Sequence, residues 1–250
     1  MLPEGWSDIR LGDAFSFKNG LNGDKELYGA GTKFVNVMDV FRGPRLRVAE
    51  IVGSMKISPK QLRDYAVRYG DVLFNRTSET DDEIALATVY LDTAPAVFGG
   101  FVIRARPTTE NILPEFCVYG FQSAAMRRAM IRLGQGAIRA NIGQGDLNTV
   151  EWRLPPLPEQ RRIAEILSTW DGAIATVEKL IANARTQKKA LMQSLLTGKK
   201  RLPGFAGEWE NLRLGDVADL FAGGTPSTAK PEYWGGGIPW MSSGDRKSVV

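Results

Sequence analysis

The stretch from Leu154 to Arg201 constrains the fold more than any other part of the sequence. It opens with Leu-Pro-Pro-Leu-Pro-Glu-Gln (Leu154 to Gln160) and then runs without a proline to Pro203. Stepping by alternating fours and threes gives Ile163, Leu167, Trp170, Ile174, Val177, Ile181, Ala184, Lys188, Leu191 and Leu195, nine of the ten apolar. Apolar residues at that spacing line one face of a helix, and such a seam is buried by a partner helix. Pro158 is tolerated at a helix start, where its missing N–H would be unpaired anyway, and Glu159 complements the positive end of the helix dipole. Gly198 and Pro203 close the segment. A helix of some 35 residues at about 1.5 Å each spans roughly 50 Å, more than a small domain is wide. The pattern therefore predicts a long spacer helix that pairs with another helix. Lys188 either fixes the pairing register or reaches past the seam to solvent.

An internal repeat is the second constraint. Trp6-Ser-Asp-Ile-Arg-Leu-Gly-Asp13 recurs as Trp209-Glu-Asn-Leu-Arg-Leu-Gly-Asp216, with Trp, Arg, Leu, Gly and Asp identical. Phe34-Val-Asn-Val-Met-Asp39 and Trp240-Met-Ser-Ser-Gly-Asp245 align more loosely. The chain is thus expected to begin a second copy of its first domain after the long helix.

Residue usage excludes much chemistry. There is no histidine, and Cys117 is the single cysteine. An internal disulfide and a multi-cysteine metal site are excluded, and the commonest general base and metal ligand is missing. Cys117 lies in apolar, helical surroundings and reads as a buried structural thiol. With 43% apolar residues, no apolar run of membrane-spanning length and no signal-peptide pattern, a soluble, cytoplasmic protein is expected. Charge is uneven: residues 157–201 carry nine basic and four acidic side chains, whereas residues 1–156 carry 19 and 18. That excess permits nucleic-acid binding without demanding it.

The first domain reads as mixed α and β. Lys33 to Val37, Val72 to Asn75, Ile84 to Leu91 and Val97 to Ala105 have the β-branched, apolar character of strands. Helices are expected at Pro59 to Arg68, with Ser58 as N-cap, and at Pro114 to Arg132. Two polar loops, from Asn75 to Glu83 and from Gly134 to Asn148, supply Asn75, Arg76, Thr77, Ser78, Gln135, Arg139, Asn141 and Gln144. Arginine pairs with guanine edges, asparagine and glutamine with adenine edges, and serine or threonine with base or phosphate. The same residue types also cap helices and fill turns. Gly134, Gly136, Gly143 and Gly145 match neither the dinucleotide fingerprint nor a P-loop, so no cofactor is expected.

The helix opening Leu154 to Leu167, the stretch Gln193 to Gly198 and the repeated Trp-x-x-x-Arg-Leu-Gly-Asp motif together resemble the DNA-specificity subunit of type I restriction-modification enzymes. The resemblance covers the whole chain. It implies an α+β architecture: a mixed α/β target-recognition domain (1–153), a conserved coiled-coil-forming helix (154–201) and the start of a second recognition domain (202–250). In that family two recognition domains are held apart by two long antiparallel helices. Each domain reads half of a split target in double-stranded DNA, and methyltransferase subunits, and through them restriction subunits, flank the assembly. The subunit itself catalyses nothing. In agreement, the sequence shows neither an Asn/Asp-Pro-Pro-aromatic methyltransferase motif nor a Pro-Asp...Glu-x-Lys nuclease cluster.

The sequence departs from the family pattern at Asp245-Arg-Lys-Ser-Val-Val250, where the second copy stops. A truncated or half-length subunit is the expectation, with Ile163, Leu167, Trp170, Ile174, Val177, Ile181 and Leu191 pairing two identical chains under two-fold symmetry. Asn75, Arg76, Thr77, Ser78, Arg139, Asn141 and Gln144 are the expected DNA contacts. The competing reading is a coiled-coil adaptor, or a truncated subunit, that binds no specific DNA.

Overall fold

The computed structural model describes residues 3–134, 136, 140–234 and 236–237. The chain divides into two compact units, with the boundary between Ile181 and Ala182.

The first unit begins with β1 (Ser7–Arg10), α1 (Leu11–Ala14), β2 (Phe15–Asn19) and β3 (Tyr28–Val35). Next come α2 (Val37–Phe41), β4 (Arg45–Leu46), β5 (Ser54–Met55), α3 (Pro59–Tyr65) and β6 (Ala66–Val67). Strands β7 (Val72–Asn75), β8 (Thr77–Ser78), β9 (Ala87–Tyr90), β10 (Ala96–Phe98) and β11 (Val102–Pro107) follow. The unit closes with α4 (Pro114–Gly120), α5 (Ala124–Ile131), β12 (Ala140–Asn141), α6 (Gln144–Thr149) and β13 (Glu151–Leu154), from which α7 (Leu157–Leu195) departs. Beyond it lies α8 (Leu214–Val217).

A five-stranded sheet in the order β2-β11-β7-β9-β4 carries the domain, beside a four-stranded sheet β5-β3-β10-β6 and the pairs β1-β13 and β12-β8. Strand β7 shows why the centre is stable. Its side chains alternate, so Val72 and Phe74 enter one core with Phe15, Phe116, Phe121 and Trp152, while Leu73 enters a second with Val35, Tyr90 and Phe98. With both faces covered, all four residues of β7 are buried. This is the continuous apolar run of a central strand, not the alternation of a half-exposed one.

The expected mixed α/β domain followed by a long helix is what the chain forms, with instructive differences at boundaries. The strand expected to reach Val37 ends at Val35, because the Asn36 side chain caps α2 by accepting from Met38 N at 2.8 Å. The strand expected from Ile84 begins at Ala87, because Ala85 sits at φ 52°, outside extended geometry. Val97 to Ala105 is two strands, turned at Gly99 and Gly100; a Cβ on Gly99 would stand 2.6 Å from the Phe34 ring. The helix expected over Pro59 to Arg68 is capped by Ser58 and stops at Tyr65, where Ala66 turns extended to pair with β10. Pro114 to Arg132 is two helices. Ser123 interrupts them and caps α5 through Met126 N at 3.3 Å.

The repeated motif has a repeated local geometry. Asp13 accepts from Arg10 N and Asp216 from Arg213 N, both at 3.3 Å, capping α1 and α8 alike. Leu11 is fully buried, however, while its counterpart Leu214 is 64% exposed. In the first copy β1 pairs with β13 in the register Ile9 to Trp152, which closes the domain over Leu11. In the second unit Trp209 packs on the end of α7 at Gly198, whose φ of 72° and close approach to the indole require glycine.

Candidate nucleic-acid interface

Strands β2 and β7 end, and β11 begins, at one end of the five-stranded sheet, where Ile103 faces Asn19 and Val102 faces Asn75. Three loops are knitted together there by main-chain bonds. Arg76 N donates to Phe101 O at 2.9 Å, Ile142 N donates to Arg76 O at 3.0 Å, and Thr77 pairs with Asn141 across the β8-β12 ladder. The ladder makes this rim a fixed surface of the sheet.

The expected DNA-contacting residues divide into two groups. Arg76 and Asn141 are exposed and Thr77 is half-exposed, side by side on the rim. Asn75 and Ser78, expected as contacts, are buried and shape the loop. The Asn75 amide donates to Thr77 O at 3.2 Å and Glu83 O at 3.0 Å; the Ser78 hydroxyl accepts from Thr80 N at 3.2 Å. Gln144 is half-buried against β2, and its side-chain amide satisfies both neighbours when oriented with the nitrogen toward Phe17 O (3.0 Å) and the oxygen toward Asn19 N (3.1 Å). Gln135 and Arg139 lie outside the described residues.

Arg127 on α5 braces this end, and its role was not legible in the sequence. Its guanidinium donates to Ala85 O (2.6 Å), Ile84 O (2.7 Å) and Asp82 O (2.8 Å), fixing the acidic turn between β8 and β9. Desolvation lowers its pKa from the ordinary arginine value, and the Asp82 charge opposes that shift. Asp81, Asp82 and Glu83 themselves face solvent.

Helix α7 is rooted by a second set of contacts that the sequence did not announce. Trp6 Nε1 donates to Glu159 Oε2 at 3.0 Å, and Gln160, 1% exposed, joins the helix to the loop before α4. Ala164 is buried, and Ile163, expected on the pairing seam, packs partly buried against the core of its own domain. Further along, Asp171 accepts from the Tyr119 hydroxyl at 2.8 Å and pairs with Arg45. Burial, and next the bond to Asp171, raise the Tyr119 pKa. The remaining seam residues of the first unit, Leu167, Trp170, Ile174, Val177 and Ile181, are exposed, Trp170 by 66%. In the second unit Leu191 is exposed too. Cys117 is fully buried, and burial pushes its thiol pKa far up, as befits a structural residue. Among the described residues no helix is long and apolar enough to cross a membrane.

A family model, the type I restriction modification DNA specificity domain, matches residues 3–185. The chain belongs to this family. A protein of Methanocaldococcus jannaschii named "Putative type I restriction enzyme MjaX specificity subunit" is 23% identical over an alignment of 254 residues, covering 96% of this chain and 59% of that one. The StySPI specificity subunit of Salmonella potsdam is 23% identical over 235 residues, 90% of this chain and 48% of that one. The chain thus spans about half the length of the curated relatives it matches. The fold is shared with the HsdS subunit of Thermoanaerobacter tengcongensis (20% identity, TM-score 0.54, 78% of this chain and 45% of that one). It is shared also with a chain of a type I R-M system solved for its assembly and conformational transition (22% identity, TM-score 0.56, likewise 78% and 45%).

Proposed function

We propose that this chain is the non-catalytic DNA-reading component of a type I restriction-modification system. Residues 1–153 read one half-site of a bipartite target in double-stranded DNA, 154–201 form the spacer and pairing helix, and 202–250 begin a second recognition repeat. Methyltransferase subunits dock on it, restriction subunits join through them, and the assembly works in the cytoplasm. Two copies pair through α7. The observation that carries this reading is the rim of Arg76, Thr77 and Asn141 on a sheet end locked by main-chain bonds, in a chain of the DNA specificity family. Such a surface presents hydrogen-bonding side chains to a groove with little ordering cost. The exposed seam on α7 supports the pairing, since a row of large apolar side chains on a helix is stable in water once a second helix covers it.

The test is selection from a random duplex library by the chain together with the methyltransferase subunit of its own system. Enrichment of an interrupted palindrome is expected, because two identical readers related by two-fold symmetry read two identical half-sites. An asymmetric site would remove the pairing. Absence of enrichment would remove DNA reading and leave an adaptor. Binding should weaken with salt at a logarithmic slope of about −0.9 per phosphate contacted.

A further inference from the structure

Phe101 stands at the tip of the turn between β10 and β11 and is 63% exposed. Its main chain is held firmly: Gly99 N donates to Val35 O, Val102 N to Gly99 O and Arg76 N to Phe101 O, each at 2.9 Å. A Cβ on Gly100 would collide with the Asn22 side chain, so Asn22 lies directly against the turn. The other exposed aromatic side chains of the globular part of this unit are engaged. Tyr28 sits edge-on to Phe34 with centroids 5.2 Å apart, and the Tyr69 hydroxyl bonds Glu115. Among the described residues no ring or cation stacks on Phe101.

The surroundings of this ring decide what it meets. Arg76 is bonded to Phe101 through the main chain and is exposed, Asn22 lies beside the turn, and Thr77 and Asn141 continue the rim. An apolar docking patch for a protein needs several adjacent apolar side chains. Here a single exposed ring stands on a turn whose main chain bonds Arg76 and which abuts the Asn22 side chain, with Thr77 next to Arg76 in sequence and Asn141 paired to Thr77. Aromatic wedges beside cations are how proteins enter a nucleic-acid stack, the cation meeting phosphate while the ring meets base.

We propose that Phe101 is a base-contacting wedge, its ring entering between base edges of the duplex while Arg76 pairs with the neighbouring phosphate. This rests on the DNA-reading function proposed above and assigns it a specific residue. The turn supplies the stiffness that a wedge requires, since unstacking a base step must not be relieved by bending the loop back.

The experiment uses the duplex recovered from the library selection, a scrambled duplex of equal length, and the full chain with its methyltransferase subunit. Wild type, Phe101→Ala, Phe101→Leu and Arg76→Ala are titrated across a salt series, with 2-aminopurine placed in turn at each step of the selected half-site. Phe101→Ala should weaken binding to the selected duplex about 10-fold or more, leave the scrambled duplex and the salt slope unchanged, and abolish a 2-aminopurine enhancement at one step. Phe101→Leu should recover part of the loss. Arg76→Ala should weaken both duplexes and reduce the salt slope by about one phosphate. The exposed position leaves folding intact, checked by an unchanged melting curve. Wild-type affinity and selectivity in Phe101→Ala, or equal losses on both duplexes, would overturn the wedge while leaving DNA reading in place. A wild-type assembly that retains no duplex would overturn both.

Discussion

Gln160, on the first turn of α7, accepts from Leu113 N at 2.9 Å, and its amide nitrogen donates to Asn111 O and Pro155 O, both at 2.8 Å. One buried side chain thereby satisfies three main-chain groups where the long helix leaves the domain. Replacing it with alanine or leucine orphans all three, at a cost of about 2–4 kcal/mol. Urea unfolding of Gln160→Leu should show this loss; a change below about 0.5 kcal/mol would mean that water replaces the amide without penalty. Gln160→Glu keeps the acceptor but turns a carboxylate toward two carbonyl oxygens. Its destabilisation should therefore shrink as pH falls and the new group takes up a proton.

Alkaline pH should act through two tyrosines. Burial, with help from the hydrogen bond and charge of Glu115, pushes Tyr69 from 10.0 up to about 12. Burial, with help from the Asp92 charge, pushes Tyr90 equally to about 12, and its hydroxyl donates to Ala94 O at 2.6 Å. A pKa raised in the folded state means that the folded chain holds its proton more tightly. The associated stability is fully present below pH 10 and is lost as pH climbs from 10 to about 12. Phenolate absorbance followed beside circular dichroism checks this. Some tyrosines should ionise late and together with unfolding, and a single unshifted titration near 10 would contradict it.

Much of this molecule was readable because it depends on local rules. The Ser58 cap of α3, the proline-opened α7 and the repeat of the motif at residues 6–13 and 209–216 follow from short-range pattern, and the Asp13 and Asp216 caps are the local geometry that the repeat turned out to hold. What was not readable depends on partners distant in sequence. Nothing in Asn-Arg-Thr-Ser says that Asn75 points inward and Arg76 outward; that is set by β7 being covered on both faces and by Glu83 folding back onto Asn75. Gln160 reads in the sequence only as the end of the proline-rich helix opening, yet it bonds a loop 47 residues away. Phe101 passed as part of a strand, because the turn that exposes it sits where Gly99 packs closely on the distant Phe34 ring. Polar residues in the sequence thus marked these loops as regions, and only packing separated the side chains that face outward from those that hold the loop.

Arg127 should matter to the rim without touching it. Its guanidinium meets three carbonyls of the turn from Asp82 to Ala85, and Ala85 itself is held in left-handed geometry. Arg127→Ala removes charge-assisted bonds and leaves those carbonyls to find water, at a stability cost of about 2–3 kcal/mol. Hydrogen exchange should rise selectively over residues 79–86. Arg127→Lys should rescue only partly, since an ammonium cannot match the planar fork that reaches three acceptors. Full rescue by lysine would reduce the role of this side chain to charge alone.

The seam on α7 makes the last prediction. Ile174, Val177 and Ile181 are exposed in the single chain beyond the point where Asp171 ties the helix to Arg45 and Tyr119, and Trp170 is exposed just before it. If two copies cover one another there, carboxylates placed in the seam are stranded without partners. Ile174→Glu combined with Ile181→Glu should then raise the dimer dissociation constant at least ~100-fold, equivalent to about 2.7 kcal/mol. Sedimentation velocity across a concentration series reads this directly, and the globular domain should keep its melting temperature, because neither residue enters its core. Lys188→Leu provides the opposite test: completing the apolar seam should strengthen association while relaxing its register. A wild-type chain that sediments as a monomer at micromolar concentration would remove the pairing, and the seam would then belong to a partner other than this chain.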